Sequence, residues 1–252
     1  MCKINDFGRM DVMINLFTDF GLHGPYVGQM KSILKNHAPK SFVIDLMHDV
    51  PSFNSKAAAY MLAACSKYTP YDSIVIAVVD PGVGSERKGL VLKADHRWFI
   101  GPDNGLFDVV ANLAASVRWF EIIYQSGNES PSFHGRDIFA PVAAKIFMEE
   151  YEKNFMTEVD PPIKQYNDSD LHEVIYIDHF GNLMTGIRAE SLFTIDEIVF
   201  KDLALSRANT FSDVSKGKPF FYENSQELIE ISVNCASAQV FFNANIGDVI
   251  HY

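Results

Sequence analysis

One stretch of the sequence, SIVIAVVDPGVGSERK from Ser73 to Lys88, constrains the fold more strongly than any other. It begins with a short apolar run, Ile74 to Val79, whose β-branched residues are typical of a strand buried in a parallel sheet. Asp80 and Pro81 end this run abruptly. Open α/β sheets bind ligands beyond the carboxyl ends of such strands, so Asp80 is a candidate site residue. A turn or capping role for this Asp is the alternative.

The loop after this strand contains a second charged residue that could reach the first. Arg87 follows Asp80 by seven residues, a separation that lets the loop fold back and pair the two side chains. Gly82 and Gly84 permit backbone conformations that other residues avoid. Because no third glycine opens a helix, the Gly-Val-Gly spacing does not match a dinucleotide-binding fingerprint.

Strand and helix patterns alternate along the first part of the chain. Apolar strand candidates begin at Met13, Ser41 and Ile74, and helical patterns over Tyr26 to Asn36 and Ser55 to Cys65 separate them. Such alternation predicts an α/β fold with a mostly parallel sheet, which we assign to an N-terminal domain over residues 13–153.

The pattern changes after Glu150. Residues 154–170 include Pro161-Pro162 and several polar residues, a composition typical of a linker. Short strand candidates with little helical periodicity follow, at Glu173 to Ile177, Gly181 to Ile187, Ile195 to Phe200, Leu228 to Val233 and Asp248 to Tyr252. Residues 171–252 are therefore predicted to form a small antiparallel β domain.

Charge and cysteine content argue against several classes of function. The net charge is −11, the pI is about 5.1 and no basic run occurs, so neither nucleic acid nor an anionic membrane is an expected partner. Cys2, Cys65 and Cys235 lack Cys-x-x-Cys spacing, which favours a reduced cytoplasmic setting and argues against structural zinc. No apolar run approaches membrane-spanning length, and residues 1–12 do not resemble a signal peptide. Met13 is an alternative start of the chain.

Several strand-end side chains could together bind a metal. Carboxylates and imidazoles of this kind suit a hydrolytic metal site, which is the first interpretation that the residues alone favour. The candidates are Asp19, His48, Asp80, Asp103 and His134.

Five motifs occur in a fixed order along the chain: TDFG at Thr18 to Gly21, DPGVGSER at Asp80 to Arg87, GPDNG at Gly101 to Gly105, FHGRD at Phe133 to Asp137, and DHFGN at Asp178 to Asn182. Together they resemble the S-adenosylmethionine hydroxide adenosyltransferase family, also called S-adenosylmethionine hydrolases, which is related to fluorinating and chlorinating enzymes. The resemblance extends from about Met13 to Tyr252. It implies an α/β domain followed by a β-barrel domain, a homotrimer with sites at subunit interfaces, and no metal or other cofactor.

The reaction implied by the resemblance is attack of water on ribose C5′ of S-adenosylmethionine, which gives adenosine and methionine. The family's catalytic residues correspond to Asp80, Arg87 and His134. Asp80 and His134 would orient and deprotonate the water, and Arg87 would hold the carboxylate. A dry site with fixed dipoles favours this step because opposite charges merge during attack on a sulfonium.

Four residues are matched by the resemblance to the adenosine end of the substrate. Asp19 corresponds to the acid that accepts hydrogen bonds from the two ribose hydroxyls. Asn182 corresponds to the residue that reads the adenine edge, since an amide offers donors and an acceptor. Phe180 corresponds to an apolar neighbour, and the backbone near Cys235 to a strand that contacts adenine.

The methionine end is matched less completely. Asp178 corresponds to a residue that helps to hold the methionine moiety, and Ser225 to one near its carboxylate. Gly24 stands where relatives commonly have an acid that meets the methionine amine, and Val233 stands where halogenating relatives have an Arg.

Two alternatives to hydrolysis remain open. A halogenating relative would use a halide in place of water, although a halide needs no base and the Asp80, Arg87 and His134 set favours water. A protein that binds an adenosyl ligand without turnover would keep the same pocket.

Overall fold

The chain is described here from a computed structural model, which covers residues 12–151, 154–167 and 169–252. The apolar run identified in the sequence forms strand β3 (Ile74–Val78), and all five of its residues are buried. Continuous burial arises because helices cover both faces of the sheet, as expected for a strand in a parallel sheet.

Seven strands form the N-terminal sheet, in the spatial order β2-β1-β3-β5-β4-β6-β7. The strands other than β3 are β1 (Met13–Thr18), β2 (Phe42–Met47), β4 (Gly89–Ala94), β5 (Arg97–Pro102), β6 (Val117–Ile122) and β7 (Met156–Val159). The neighbours β2, β1, β3 and β5 pair in parallel, whereas β4 and β7 run against the other five strands. The predicted α/β fold with a mostly parallel sheet is confirmed.

Strand β7 departs from the sequence prediction. Met156–Val159 falls within residues 154–170, which are predicted to be a linker, but it pairs with β6 and extends the N-terminal sheet. The strand has only four residues and pairs with a segment more than thirty positions earlier, so local pattern gave no signal for it. The division into domains at residues 153 and 171 stays a prediction.

Among the described residues, five α-helices accompany the strands, at α1 (Tyr26–His37), α2 (Ser55–Ser66), α3 (Asp108–Leu113), α4 (Ala140–Phe147) and α5 (Ala238–Phe242). A π-helical segment, Gly135–Phe139, leads directly into α4. No helix in the part of the chain that the structure describes is both long enough and apolar enough to span a membrane.

The two faces of β3 enter two separate hydrophobic cores. Ile74 and Ile76 pack with residues of α1 and α4, whereas Val75 and Ala77 pack with residues of α2 and α3. Burial of each large apolar side chain stabilises the fold by about 1.5–3 kcal/mol. The sheet is thereby fixed between two helical layers, with its carboxyl edge left for a site.

Helix α2 packs against both the N-terminal and the C-terminal parts of the chain. The Asn54 side chain caps the helix by accepting a hydrogen bond of 3.0 Å from the backbone N–H of Ala57. The alanine-rich face of α2 lies in a core that also contains Ile175, Met184 and Leu228 from the C-terminal part. The N- and C-terminal parts therefore share one hydrophobic core.

The C-terminal strands form two antiparallel sheets, of order β12-β13-β9-β8 and β11-β10-β14. The strands are β8 (Leu171–Ile177), β9 (Leu183–Arg188), β10 (Glu197–Phe200), β11 (Leu203–Ser206), β12 (Pro219–Glu223), β13 (Leu228–Val233) and β14 (Ile250–His251). The antiparallel character is confirmed. Isolated bridges, Glu173 to Val249 and Arg207 to Phe221, connect the edges of the two sheets, and closure into a continuous barrel stays a prediction.

Candidate active site

The carboxyl ends of β1 and β3 bring two acidic side chains to one cleft. Asp19 follows β1 directly, and its backbone N–H donates to the carbonyl of Val78 at the end of β3. Asp19 and Asp80 line a cleft of about 360 Å³ together with His134. The carboxyl edge of the sheet, which the sequence indicates as a ligand site, therefore borders a cleft.

Asp80, Arg87 and His134 form one hydrogen-bonded group. The Nε atom of Arg87 donates to Asp80 Oδ1 at 2.8 Å, and Nη2 donates to Oδ2 of the same carboxylate. The pairing predicted from the seven-residue spacing is present, in the bidentate form that Arg and carboxylate geometry favours. Nη2 also lies 2.9 Å from Nδ1 of His134. Both side chains of the Asp80–Arg87 pair are largely buried.

The contact with Arg87 fixes the tautomer of His134, and burial together with the charge of Arg87 keeps the ring neutral. Guanidinium nitrogens only donate hydrogen bonds, so Nδ1 of His134 must accept, and the neutral ring carries its proton on Nε2. Burial, followed by the positive charge of Arg87, lowers the pKa of His134 below its ordinary value of 6.5. The imidazole is thus neutral near pH 7, and its Nδ1 atom is already occupied.

The loop around His134 is held by its own ion pair. Asp137 accepts a 2.8 Å hydrogen bond from the backbone N–H of Ser130 and is paired with Arg136. His134 immediately precedes the π-helical segment, whose first residue, Gly135, is buried. The FHGRD motif therefore fixes the backbone from which the imidazole projects.

Asp19 occupies an environment that disfavours its charge. Its Oδ2 atom accepts a 3.2 Å hydrogen bond from the backbone N–H of Phe53. Burial raises the pKa of Asp19 despite this hydrogen bond, and the nearby carboxylate of Asp80 raises it further. A hydroxyl donor from a ligand would stabilise the ionised carboxylate here.

Aromatic rings form one wall of the N-terminal cleft. The ring centroids of Phe20 and Phe133 lie 5.7 Å apart, and those of Tyr26 and Phe133 lie 5.3 Å apart, both in edge-on arrangements. Phe53 stands at the rim with 78% of its surface exposed. The cleft thus combines two carboxylates with an apolar wall, a combination typical of small-molecule sites.

Of the side chains considered for a metal site, His48 lies apart from the cleft that contains Asp19, Asp80 and His134. His48 is buried and bonded on both ring nitrogens, with Nδ1 2.8 Å from Thr18 Oγ1 and Nε2 2.9 Å from Asp45 Oδ1. It therefore supports the TDFG loop and lines neither cleft. Across residues 12–151, 154–167 and 169–252, no three His, Cys, Asp or Glu side chains are grouped as metal ligands.

A second cleft, of about 860 Å³, lies in the C-terminal part. It contains every C-terminal residue that the resemblance assigns to substrate binding, namely Asp178, Phe180, Asn182, Ser225 and Cys235. Val233 is buried in its wall, whereas Gly24 lines neither this cleft nor the N-terminal one.

The DHFGN motif forms a tight turn organised by Asp178. Its Oδ1 accepts from the backbone N–H groups of Phe180 and Asn182, and its Oδ2 accepts from the Asn182 side-chain amide, at 2.8–2.9 Å. Gly181 has a φ of +83°, and a Cβ there would lie 2.0 Å from Ser237 Oγ. Asp178 thus orients Asn182 in the cleft wall and uses one of its amide donors, which leaves the amide oxygen available as an acceptor.

A buried acid in this cleft is absent from the sequence-based assignment. Glu230 is only 5% exposed, and it accepts hydrogen bonds from Tyr222 at 2.6 Å and from Asn224 Nδ2 at 2.9 Å. Burial raises the pKa of Glu230. The signal that could have identified it is a single acid within the mostly apolar strand LIEISV, since buried acids are rare unless paired.

The chain is similar to known proteins over nearly its whole length. Models described as the SAM hydroxide adenosyltransferase N-terminal and C-terminal domains match residues 14–155 and 172–251. The (R)-S-adenosyl-L-methionine hydrolase of Methanocaldococcus jannaschii is 34% identical, with 96% of this chain and 97% of the relative covered. The protein of the same name from Thermus thermophilus is 33% identical over 90% and 93%. A fluorinase from Actinoplanes is 21% identical over 93% and 95%.

Solved structures agree with these relationships. A conserved protein from Thermotoga maritima matches with a TM-score of 0.87 at 31% identity, covering 95% of this chain and 99% of that one. A conserved hypothetical protein from Thermus thermophilus matches with a TM-score of 0.78, also at 31% identity and with the same coverage. With both domain models matched and relatives above 30% identity covering most of its length, the chain belongs to the SAM hydroxide adenosyltransferase family.

Proposed function

We propose that this protein hydrolyses S-adenosyl-L-methionine to adenosine and L-methionine. The observation that carries the proposal is the Arg87 guanidinium, which bridges the Asp80 carboxylate and the His134 imidazole at the cleft containing Asp19. Relatives named (R)-S-adenosyl-L-methionine hydrolase, at 31–34% identity, support the same reaction.

The reaction requires one bond to form and one to break. The water oxygen attacks C5′ while the C5′–S bond breaks, and its electron pair returns to sulfur, which leaves as a neutral thioether. One proton is released from the water. Since the leaving group is neutral, no acid is needed at sulfur, and the protein's task is to hold and activate the water.

The geometry of the trio suggests a division of roles. His134 has its Nδ1 occupied by Arg87, so its Nε2–H is a donor that can orient the water oxygen. Asp80 is the neighbouring carboxylate and the group that can take the proton. Arg87 fixes both side chains, which keeps their arrangement from changing as charge redistributes during attack.

Charge in the two clefts suits a cationic substrate. Asp19 and Asp80 line the N-terminal cleft, Asp178 and Glu230 line the C-terminal one, and neither lining includes a Lys or Arg from the described ranges. Partly buried carboxylates attract a sulfonium more strongly than they would in water, because the local dielectric constant is lower.

We further propose that each active site combines the N-terminal cleft of one copy with the C-terminal cleft of another in a homotrimer. Support comes from the separation of the predicted ligand residues into two clefts with no described lining residue in common. Apolar side chains that line the two clefts are largely exposed, with Phe53 at 78% in the N-terminal cleft and Phe180 at 74% in the C-terminal one. Exposed apolar clusters of this kind are typical of interaction surfaces.

We also propose a cytoplasmic location, since Cys65 and Cys235 are free thiols. The lack of Cys-x-x-Cys spacing in the sequence favours the same reduced setting.

The decisive experiment is incubation of the purified protein with S-adenosyl-L-methionine, with and without chloride or fluoride. Chromatography should detect adenosine and methionine in equal amounts and no halogenated nucleoside. Turnover should persist in a chelator. Binding of adenosine without any turnover would favour the non-catalytic alternative, and a halogenated product would favour the halogenating one.

A further inference from the structure

A chain of hydrogen bonds runs from helix α1 at the surface to the end of strand β1, beside the N-terminal cleft. Lys31 Nζ donates to Asp45 Oδ2 at 2.6 Å, and Asp45 Oδ1 lies 2.9 Å from His48 Nε2. On the other side of the ring, His48 Nδ1 lies 2.8 Å from Thr18 Oγ1. Thr18 and His48 are buried, whereas Lys31 and Asp45 are partly exposed. The proposed hydrolysis uses none of these four side chains, so their arrangement needs another explanation.

The direction of each hydrogen bond in this chain can be assigned. A carboxylate only accepts, so His48 donates to Asp45 through Nε2, and Nδ1 of the neutral ring is then an acceptor. The Thr18 hydroxyl therefore donates to Nδ1, and its oxygen accepts a 3.3 Å hydrogen bond from the backbone N–H of Phe20. Thr, His and Asp in this order resemble a nucleophile with its base, but Thr18 is fully buried and His48 lines neither cleft. A ligand in either cleft cannot reach them, which leaves a positioning role.

The backbone that this chain fixes is the one that carries Asp19. Thr18 and Phe20 flank Asp19 directly, and the hydroxyl of the first holds the N–H of the second. The carbonyl of His48 accepts from the N–H of Gly21 at 2.7 Å, so His48 holds this turn through its backbone as well as its side chain. A carboxylate that must meet two hydroxyls of one ligand tolerates a displacement of only about 0.5 Å. The support beneath Asp19 should therefore affect binding directly.

We propose that His48 is a positioning residue that makes the N-terminal cleft selective for ligands with two ribose hydroxyls. It acts through Thr18, whose hydroxyl sets the position of the turn around Asp19, and Asp45 holds the ring in the tautomer that accepts from Thr18. The inference rests on the proposed function, because Asp19 meets ribose hydroxyls only if the cleft binds the adenosyl group. Since His48 contacts no ligand itself, its removal should affect only those ligands that use Asp19.

The test measures by calorimetry the preference for adenosine over 2′,3′-dideoxyadenosine, which lacks both hydroxyls. Wild type should prefer adenosine about tenfold or more, the usual scale for hydrogen bonds to a charged group. Thr18→Val keeps the shape and removes the hydroxyl, and His48→Leu removes both ring nitrogens. Each should reduce the preference about threefold or more, as expected for residues coupled in one hydrogen-bond network. Thr18→Ser, which keeps the hydroxyl, should retain the preference.

Controls separate positioning from general destabilisation. Thr69→Val removes another buried hydroxyl, which donates to the Ser66 carbonyl at 2.8 Å outside both clefts, and should leave the preference unchanged. Asp45→Ala, at an exposed position, perturbs the core less than His48→Leu and should also lower the preference. In an Asp19→Ala background, Thr18→Val should have no further effect on adenosine affinity, because the group that it positions is absent.

Several results would overturn the inference. An equal loss of affinity for both ligands would mean that Thr18 and His48 only stabilise the fold, and an unchanged preference in Thr18→Val would mean that they do not act on Asp19. Loss of preference in Thr18→Ser would assign the effect to the methyl group, and a wild-type protein without preference would refute the inference at once. Failure of the proposed function is recognised separately, because wild type would then release no adenosine from S-adenosyl-L-methionine.

Discussion

Arg87 Nη2 donates to His134 Nδ1 at 2.9 Å while the same guanidinium holds both oxygens of Asp80. One side chain thus sets the orientation of a carboxylate and the tautomer of an imidazole. A Lys at this position could not do both, because a single ammonium lacks the planar fork of donors that spans the two groups.

The pH dependence of turnover should reflect a neutral His134. Its pKa is lowered by burial and by Arg87, which outweigh the opposing carboxylates of Asp80, Asp137 and Glu129. The rate should therefore be independent of this group above pH 6.5 and fall only below its lowered pKa. A single-turnover pH profile measures this, and an inflection above 6.5 assigned to His134 would contradict it.

The same shift predicts a change in stability with pH. Below about pH 6.5 the unfolded chain binds a proton at this histidine that the folded protein resists. The free energy of unfolding should thus decrease as pH falls from about 6.5 through the lowered pKa. Urea unfolding of wild type and His134→Asn should show a shallower pH slope in the variant.

Removal of the catalytic groups should depress turnover more than binding. Asp80→Asn puts an amide donor against the Arg87 guanidinium, and His134→Ala removes the ring that orients water. Each should lower the single-turnover rate roughly a hundredfold or more, the usual scale for a positioned acid–base group, with adenosine affinity nearly intact. His37→Ala, at an exposed position at the end of α1, is the matched control. Near-normal rates in both site variants would refute the trio.

Asp19→Ala should show the opposite pattern. Without the carboxylate, the ribose hydroxyls lose their acceptor in both substrate and product. Adenosine affinity measured by calorimetry should fall about tenfold or more, given the usual strength of hydrogen bonds to charged groups. Unchanged adenosine affinity would remove Asp19 from the binding site.

Mixed assemblies can test whether two copies share a site. Asp80→Asn damages the N-terminal cleft and Asn182→Ala the C-terminal one, so each variant alone should be inactive. If sites form between copies, random mixing restores roughly one quarter of the sites, since one intact half must meet another. Co-expression with two affinity tags provides the mixture. Continued inactivity of the mixed species would indicate that each site lies within one chain.

The turn at Gly181 should tolerate no side chain. Gly181 and Gly217 both have positive φ, at +83° and +78°, but only at Gly181 would a Cβ meet Ser237. Gly217→Ala should cost about 1–2 kcal/mol, the usual penalty for a left-handed alanine. Gly181→Ala should cost clearly more in urea unfolding and should also weaken adenosine binding. Equal losses in the two variants would show that the contact with Ser237 is unimportant.

The site-bearing parts of the fold were predictable because their signals are local. A continuous apolar run followed by an acid predicts a buried strand that ends at a site, and β3 followed by Asp80 has this form. The hairpin of β4 and β5 likewise follows from two short runs joined at Asp95-His96. In both cases, the pattern that predicts the element lies within one short stretch of the sequence.

Features that depend on distant contacts were missed. Strand β7 exists because β6 offers an unpaired edge, and nothing within MTEV indicates this. Glu230 is recognisable as a paired acid only once Tyr222 and Asn224 are seen beside it.

The hydrophobic core shared between α2 and the strands β8, β9 and β13 has a consequence for how the gene can be divided. Ile175, Met184 and Leu228 would lose their apolar neighbours if the chain were cut within residues 160–170, and helix α2 would lose its cover. Each fragment would expose a large apolar surface and would tend to aggregate. Heat should therefore melt the intact chain in one cooperative step, and neither half should be inherited or recombined as an autonomous module.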